Sequence, residues 1–333
     1  MLENDYILQQ QMLPGVSRTF ALTIPQLKEP LCTVVTTAYL LCRIADTIED
    51  DTNLTQQEKV KFHQQFCLVL QDQADAENLA HILVNKLGAS TLLAEKQLIN
   101  NIPIVIRCLR GFTAAQQLIV TRCVNIMSEG MPEFQAIASL SGLPTMADLN
   151  RYCYCVAGVV GEMLTELFCD YSTEIALHKT QLMSLAVSFG QGLQMTNILK
   201  DFWEDRQRGV CWLPQDSFDD VGIKLMNWKV ATQRLEFNQI FAKFVKKAYM
   251  HLQDALNYVL LIPANEVGIR RFTLWALGLA VLTLRNLDSH NNFTAGSAVK
   301  ISRNQVKTAI FILNSTCRYN RILKYLFTIF ARY

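Results

Sequence analysis

An all-α fold is what this sequence predicts, and three observations predict it. Apolar residues recur at three- and four-residue spacing over long stretches. Only 8 prolines and 14 glycines punctuate 333 residues. Alternating Val/Ile/Thr runs bounded by Asn-Gly turns, the mark of hairpins, are absent. The composition is uniform and no Pro/Gly/Ser-rich linker divides it, so a single domain over residues 1–333 is expected. Half of the residues are hydrophobic, enough to line an internal apolar cavity or to touch a membrane.

Along the chain, Met12-Leu13-Pro14-Gly15-Val16 reads as a turn that leads through Ser17-Arg18-Thr19-Phe20 into a helix start, and Pro25 and Pro30 break the chain again. A helix then runs from about Cys32 into the acidic cluster Asp46-Thr47-Ile48-Glu49-Asp50-Asp51. Thr55 with Glu58 forms a capping box that begins the next helix, where Val60, Cys67 and Leu70 alternate with polar faces. The acidic cluster therefore ends its helix, where the macrodipole disfavours carboxylates, and bound cations would compensate. Pro103, Met131-Pro132 and Ser141-Gly142-Leu143-Pro144 mark loops, and Thr145 with Asp148 caps a helix carrying Tyr152 to Gly161. Gly158 and Gly161 each cost about 1 kcal/mol in a helix relative to alanine. Something must approach closely there, either a neighbouring helix or a bulky apolar ligand, and Gly190 and Gly192 raise the same question. Phe272 to Leu284 reads as a buried core helix, and no apolar run reaches the roughly 20 residues that span a bilayer.

Ten cysteines form no Cys-x-x-Cys pair and five histidines are scattered, which argues against a zinc site and for small buried hydrophobes in a reducing compartment. The start, Met1-Leu2-Glu3-Asn4-Asp5, lacks the layout of a signal peptide. The net charge is only +2, and no nucleic-acid partner is expected. That balance conceals an asymmetry, because no acidic residue follows Asp288 whereas Lys300, Arg303, Lys307, Arg318, Arg321, Lys324 and Arg332 do. From about residue 305 to 333 the chain reads as a basic amphipathic tail in which Leu323, Leu326, Phe327, Ile329 and Phe330 interleave with the charges. Such a tail either lies on an anionic membrane or closes the core with a solvated basic face.

Helical spacing puts Asp46, Glu49 and Asp50 on one face, and Gln194, Asn197, Asp201 and Asp205 on another. Like charges stacked in this way destabilise a helix unless a cation sits between them. Two such faces indicate hard divalent cations on oxygen ligands, with substrate phosphate completing the coordination. Arg18, Arg43 and Lys200 are the positive groups nearest in sequence. Any one carboxylate–cation pair is ordinarily a plain ion pair, but two clusters sharing the pattern suit a magnesium–diphosphate site that stabilises departing diphosphate. Loss of an allylic diphosphate leaves a carbocation that water would quench, so a dry apolar cavity is required. Phe20, Tyr39, Val156, Ala157, Leu193 and Phe272 lie on segments able to line one, and Tyr152 offers a hydroxyl for proton removal or cation positioning.

Through Val16 to Phe20, Asp46 to Asp51, Tyr152 to Gly161, and Gln194 to Asp205 followed by Leu213-Pro214-Gln215, the chain resembles the squalene/phytoene synthase family over nearly its whole length. The resemblance implies an isoprenoid-synthase helical bundle around a central apolar cavity, with the two acidic motifs facing each other and holding Mg2+, for which Mn2+ can substitute. By the same resemblance Asp46, Glu49 and Asp50 take the first metal role and Asn197, Asp201 and Asp205 the second. Ser17, Arg18, Arg43 and Lys200 match positions that contact diphosphate, and Phe20, Tyr39, Tyr152, Gln194, Asn197 and Phe272 match substrate positions. Lys200 stands where many relatives carry arginine and would act as a point charge. The implied reaction joins two farnesyl diphosphates head-to-head into a cyclopropyl diphosphate. One branch of the family then rearranges and reduces that intermediate with NADPH; the dehydrosqualene and phytoene branches instead lose a proton. The form of the first motif, and Ala298-Val299-Lys300-Ile301-Ser302-Arg303 with its two charges for a 2′-phosphate, resemble the reductive branch. No Gly-x-Gly-x-x-Gly fingerprint is present, so no Rossmann site is expected. A catalytically silent assembly factor would have lost motif carboxylates, and every one is present. A product this apolar must leave into a bilayer, so peripheral contact with the cytoplasmic side of a membrane is expected through the tail.

Overall fold

The computed structural model describes residues 2–17, 19–228, 230–290 and 292–331. Among them the expected all-α architecture is present, with no strand and one isolated extended bridge between Leu143 and Pro214. The chain forms two compact units, Met1–Ala136 with Glu166–Ala176, and Ile137–Thr165 with Leu177–Tyr333.

The first unit contains α1 (Leu2–Val16), α2 (Leu31–Asp50), α3 (Gln56–Leu70), α4 (Ala76–Lys86), α5 (Leu93–Asn100), α6 (Ile102–Arg110) and nearly all of α7 (Ala114–Ile137). Its centre is α2, which packs on α1, α3, α5 and α6. Leu40, Leu41, Ile44, Ala45 and Ile48 of this helix are fully buried, and truncating such a leucine to alanine costs about 2–5 kcal/mol. Asp51 stops α2 by leaving helical geometry, and its carboxylate accepts from the N–H groups of Asn53 (2.8 Å), Leu54 (3.1 Å) and Gly88 (2.9 Å). Burial pushes this carboxyl up, but hydrogen bonds from Thr91, Gly88, Asn53 and Leu54 win and hold it below the usual range. Asp51 is thus consumed in building the turn that fixes where Asp46, Glu49 and Asp50 end up. A two-pronged pair from Arg107 to Asp5, at 2.9 and 3.1 Å, ties α6 to α1.

The second unit contains α8 (Met146–Cys153), the first turns of α9 (Val159–Tyr171), then α10 (Lys179–Lys200), α11 (Phe202–Gln207), α12 (Val230–Leu261), α13 (Val267–Ser289), α14 (Arg303–Thr316) and α15 (Asn320–Phe330). Here α10 packs along α12 and α13 and against the turn between α8 and α9. The four glycines raised above serve this packing. A Cβ at Gly161 would lie 2.2 Å from the Ala186 carbonyl oxygen, one at Gly190 2.2 Å from that of Ala157, and one at Gly192 3.0 Å from His251. For Gly158 the nearest atoms belong to Tyr154 and Val187, at 3.1 and 3.2 Å. The close approach is that of protein to protein. Fully buried Arg270 donates to the carbonyls of Ile262 (2.9 Å) and Cys317 (2.6 Å), and so clasps the α14–α15 junction to the start of α13.

Both predicted capping boxes are present, at Thr55/Glu58 and Thr145/Asp148. All ten cysteines are free thiols, and all but Cys67 and Cys169 are buried. Several local expectations need correction. Met12 to Val16 is the last turn of α1 rather than a turn of its own, with Pro14 kept helical between buried Leu13 and Val16 although it forfeits its N–H bond. Met131-Pro132 continues α7 because Met131, Pro132 and Phe134 are packed into the core. Pro103 opens α6, where its missing N–H costs nothing. On α3 the buried positions are Phe62, His63, Phe66, Val69 and Leu70, so Val60 and Cys67 lie at its margin. The segment from Tyr152 to Gly161 is interrupted by a π-turn over Tyr154–Gly158, where the N–H of Val159 returns five residues to the Tyr154 carbonyl. Three helical segments, Leu31–Asp50, Met146–Tyr171 and Val267–Ser289, are long and apolar enough to cross a membrane by length and composition. Counting unbroken apolar runs missed them because threonines, glycines and single charges interrupt the runs without lowering the average hydropathy enough. In the most apolar stretch of Leu31–Asp50, 72% is already buried against protein.

Candidate active site

Helix α2 carries the first set. Arg43 reaches Asp46 one turn on, at 3.7 Å, and also binds Glu95 of α5. Sequence reasoning missed Glu95, which is buried and comes from a segment some fifty residues away with no motif around it. Burial raises the Asp46 carboxyl to about 7, with Arg43 opposing and Asp50 and Glu95 adding repulsion. The side chain is still 36% exposed, so solvent screens part of that penalty. Glu49 is more deeply placed: Gln135 donates to its Oε1 at 3.0 Å, Lys59 donates to its carbonyl, and burial pushes its carboxyl up to about 8. Asp50 is exposed. Ahead of these carboxylates, Tyr39 donates to the Val16 carbonyl at 3.2 Å and its ring lies 4.9 Å from that of Phe20, while Ser17 Oγ accepts from the Phe20 N–H at 2.9 Å. Ser17, Phe20, Tyr39, Arg43 and Asp46 therefore form one connected group. Arg18, like Arg332 of the tail, lies outside the described residues.

Helices α10 and α11 carry the second set. The face was expected on one continuous helix, but Asp201 stands at a break, with φ −94° and ψ 10°. Its N–H still bonds Asn197 O at 2.8 Å and its carbonyl still accepts from Asp205 at 2.9 Å, so the four-residue register survives the bend. Lys200 Nζ lies 3.1 Å from Asp201 and 3.4 Å from Asn197 Oδ1. Arg208 holds Asp205 at 2.5 Å, yet burial dominates and raises the Asp205 carboxyl. Gln194 is half-buried and Asn197 exposed.

Tyr152, 7% exposed at the end of α8, lies flat against Trp212, with ring centroids 4.2 Å apart and planes 7° from parallel. Trp212 immediately precedes Leu213-Pro214-Gln215, and that adjacency was the one signal that could have found it. Phe272 is buried on α13. Val156, Ala157 and Leu193 are half-buried, with the Ala157 carbonyl turned to Gly190. Lys300 and Arg303 are exposed at the start of α14, which Ser302 caps. Cations are disfavoured at a helix N-terminus, and an anion bound there would relieve them. A further tie joins this segment to the second acidic set: the Gly296 N–H donates to Glu204 Oε1 at 2.8 Å, and Glu204 Oε2 is buried with no hydrogen-bond partner among the described residues.

These donors fit magnesium. They are oxygen ligands only, and the first set holds carboxylates against both burial and mutual repulsion. Among the described residues no three His, Cys, Asp or Glu side chains form a self-sufficient cage. Magnesium does not ask for one, since it keeps water and takes one or two carboxylates plus substrate phosphate.

Comparison with known proteins agrees with this chemistry. The family model for squalene/phytoene synthase matches residues 13–305. A squalene synthase of Gibberella zeae is 29% identical over 318 residues, covering 92% of this chain and 65% of the relative. Squalene synthase 1 of Arabidopsis thaliana is 29% identical over 289 residues, covering 83% of this chain and 64% of the relative. The chain thus spans just under two thirds of the length of these two relatives. Among solved structures, TcSQS in complex with BPH1237 aligns with a TM-score of 0.79 at 22% identity, covering 98% of this chain and 91% of that one. A dehydrosqualene synthase in complex with ligand gives 0.68 at 19% identity, covering 94% and 96%. At these identities the structural likeness speaks to the fold.

Proposed function

The chain belongs to the squalene/phytoene synthase family, and from that premise we propose that it is a squalene synthase acting as one catalytic domain. In this reading it joins two farnesyl diphosphates head-to-head into presqualene diphosphate and then rearranges and reduces that intermediate to squalene. Asp46 and Asp50, with Glu49 behind them, and Asn197, Asp201 and Asp205 would hold Mg2+, and Lys300 and Arg303 would hold NADPH. Magnesium supplies charge to the departing diphosphate, and NADPH supplies the hydride that ends the second carbocation.

The chain's own side chains do the rest. Ser17, Arg18, Arg43 and Lys200 grip diphosphate oxygens. Arg43 is held for this by Glu95 as well as Asp46, so it keeps its position when diphosphate draws it. Phe20, Tyr39, Gln194 and Phe272 border the prenyl chains and exclude water. Tyr152 presents its hydroxyl for proton removal and is oriented by the face of Trp212.

The observation that carries the reductive reading is the bond from Gly296 to Glu204, which ties the Lys300/Arg303 segment to α11, the helix that Asp201 precedes and that bears Asp205. With magnesium and farnesyl diphosphate the protein should accumulate presqualene diphosphate, and added NADPH should convert it to squalene. A C40 product, or dehydrosqualene alone with NADPH present, contradicts the reading. For product release we propose peripheral contact with the cytoplasmic face of a membrane through the basic tail. Arg321 and Lys324 on α15 are exposed. Replacing both by glutamine should reduce sedimentation with vesicles containing anionic lipid; unchanged sedimentation moves the contact elsewhere.

A further inference from the structure

Helices α14 and α15 cover more space than they fill. No residue of α14 is buried and on α15 only Leu323 is. Beneath them, wholly within the second unit, lies a cavity of about 560 Å³ walled by α13, α14 and α15. None of its lining residues belongs to the candidate active site, and its size falls among pockets that take small molecules, about 300–1,000 Å³.

The cavity is polarised along its length. Its long wall is α13 from Leu274 to Asn286, about 18 Å of helix. At one end Leu256, Leu274 and Leu323 are buried to within 3% of full enclosure, and Val281, Leu313 and Phe327 continue the apolar lining. At the other end stand exposed Arg285 and, on the first turn of α14, Asn304 and Gln305. Arg285 lies 5.4 Å over the Phe330 ring and has no ion-pair partner among the described residues. One carboxylate, exposed Asp288, stands a turn beyond Arg285 on α13 without pairing to it among the described residues, and no acidic residue follows it, so α14 and α15 add only positive charge around this mouth.

An apolar slot closed at one end and cationic at the other has the shape and charge of a single-chain amphiphile. It does not suit a prenyl diphosphate, because no carboxylate set for magnesium is present there. A plain hydrocarbon would make no use of Arg285. We propose that this cavity binds one acyl chain whose anionic head, carboxylate or phosphate, is held at the mouth by Arg285 with Asn304 and Gln305. The chain lies along α13 and the basic surface of α14 and α15 draws the head in.

Brominated lipid reports the site directly. Trp275 donates to Asn314 at 3.0 Å across the α13–α14 wall, close enough for a brominated chain in the cavity to quench it. Dibromostearate added to the full chain should quench fluorescence saturably, and Trp275→Phe should remove most of that component. Ala309 lines the cavity, so Ala309→Trp should abolish the quenching while squalene formation in detergent continues. Arg285→Gln, at the exposed mouth where folding is not at stake, should weaken dibromostearate about tenfold or more, and the brominated alcohol should bind the parent protein correspondingly weakly. Lysophosphatidic acid with one brominated chain, presented in phosphatidylcholine vesicles, separates the sources: quenching of Trp275 there identifies the bilayer as donor, and quenching by the free acid alone identifies a soluble ligand. The proposal fails if neither quenches Trp275, if acid, alcohol and brominated hydrocarbon bind alike, or if farnesyl diphosphate displaces the acid while Ala309→Trp and Arg285→Gln do not.

Discussion

Gly296→Ala perturbs the junction between the second acidic set and the Lys300/Arg303 segment. A Cβ there would lie 2.8 Å from the Lys200 carbonyl oxygen and 3.0 Å from each Glu204 carboxylate oxygen. Carbon and oxygen rest at about 3.3–3.6 Å, so the loop must withdraw by about half an ångström. That displacement stretches the 2.8 Å bond from the Gly296 N–H to Glu204 Oε1. The φ of Gly296 is not positive, so alanine brings no backbone strain of its own. Hydrogen bonds to charged groups contribute about 1.5–3 kcal/mol, which makes docking of the segment about 10- to 100-fold weaker. In steady-state assays with varied NADPH, the KM for NADPH should rise by about that factor and presqualene diphosphate should build up. Its formation without NADPH should stay within about twofold of the parent rate. An equal fall in both half-reactions would show that Gly296 supports the acidic set instead, and no change in either would refute the tether.

Asp46→Asn and Asp201→Asn should each lower the formation of presqualene diphosphate by about 10²–10³-fold or more, measured as diphosphate release; substantial turnover in either variant removes that residue from the metal site. His63 gives a pH prediction. It is 2% exposed, neither ring nitrogen has a hydrogen-bond partner among the described residues, and burial, helped by Lys59, lowers its pKa from 6.5 to about 4. A folded pKa below the unfolded one means that protonation favours unfolding. The stability due to neutral His63 is complete above about pH 6.5 and is lost as pH falls toward 4, by up to about 3 kcal/mol. His63→Phe should remove that part of the slope in urea midpoints between about pH 7.5 and 5, and a slope equal to the parent's would contradict the burial argument.

The all-α architecture was legible because its signals are local. Apolar spacing and the capping boxes at Thr55/Glu58 and Thr145/Asp148 use neighbours within a turn. Both acidic faces were legible for the same reason, even across the bend at Asp201, since the four-residue register persists. Pro14 and Pro132 misled because local preference is weak against core packing around α1 and α7. Glu95 behind Arg43 and Gly296 on Glu204 were invisible because each partner comes from a distant segment that no periodicity links to the motif, and Trp212 behind Tyr152 was marked only by its place next to Leu213-Pro214-Gln215. The close approach at Gly161 and Gly190 was readable from sequence, but its object, the backbone at Ala186 and Ala157, required the packing of α10.

The central claim is that one chain both condenses farnesyl diphosphate and reduces the product. Mass analysis of the C30 product formed with magnesium, farnesyl diphosphate and NADPH doubly deuterated at C4 tests it most directly. The account predicts squalene carrying a single deuterium. A C30 or C40 product with no deuterium would contradict it.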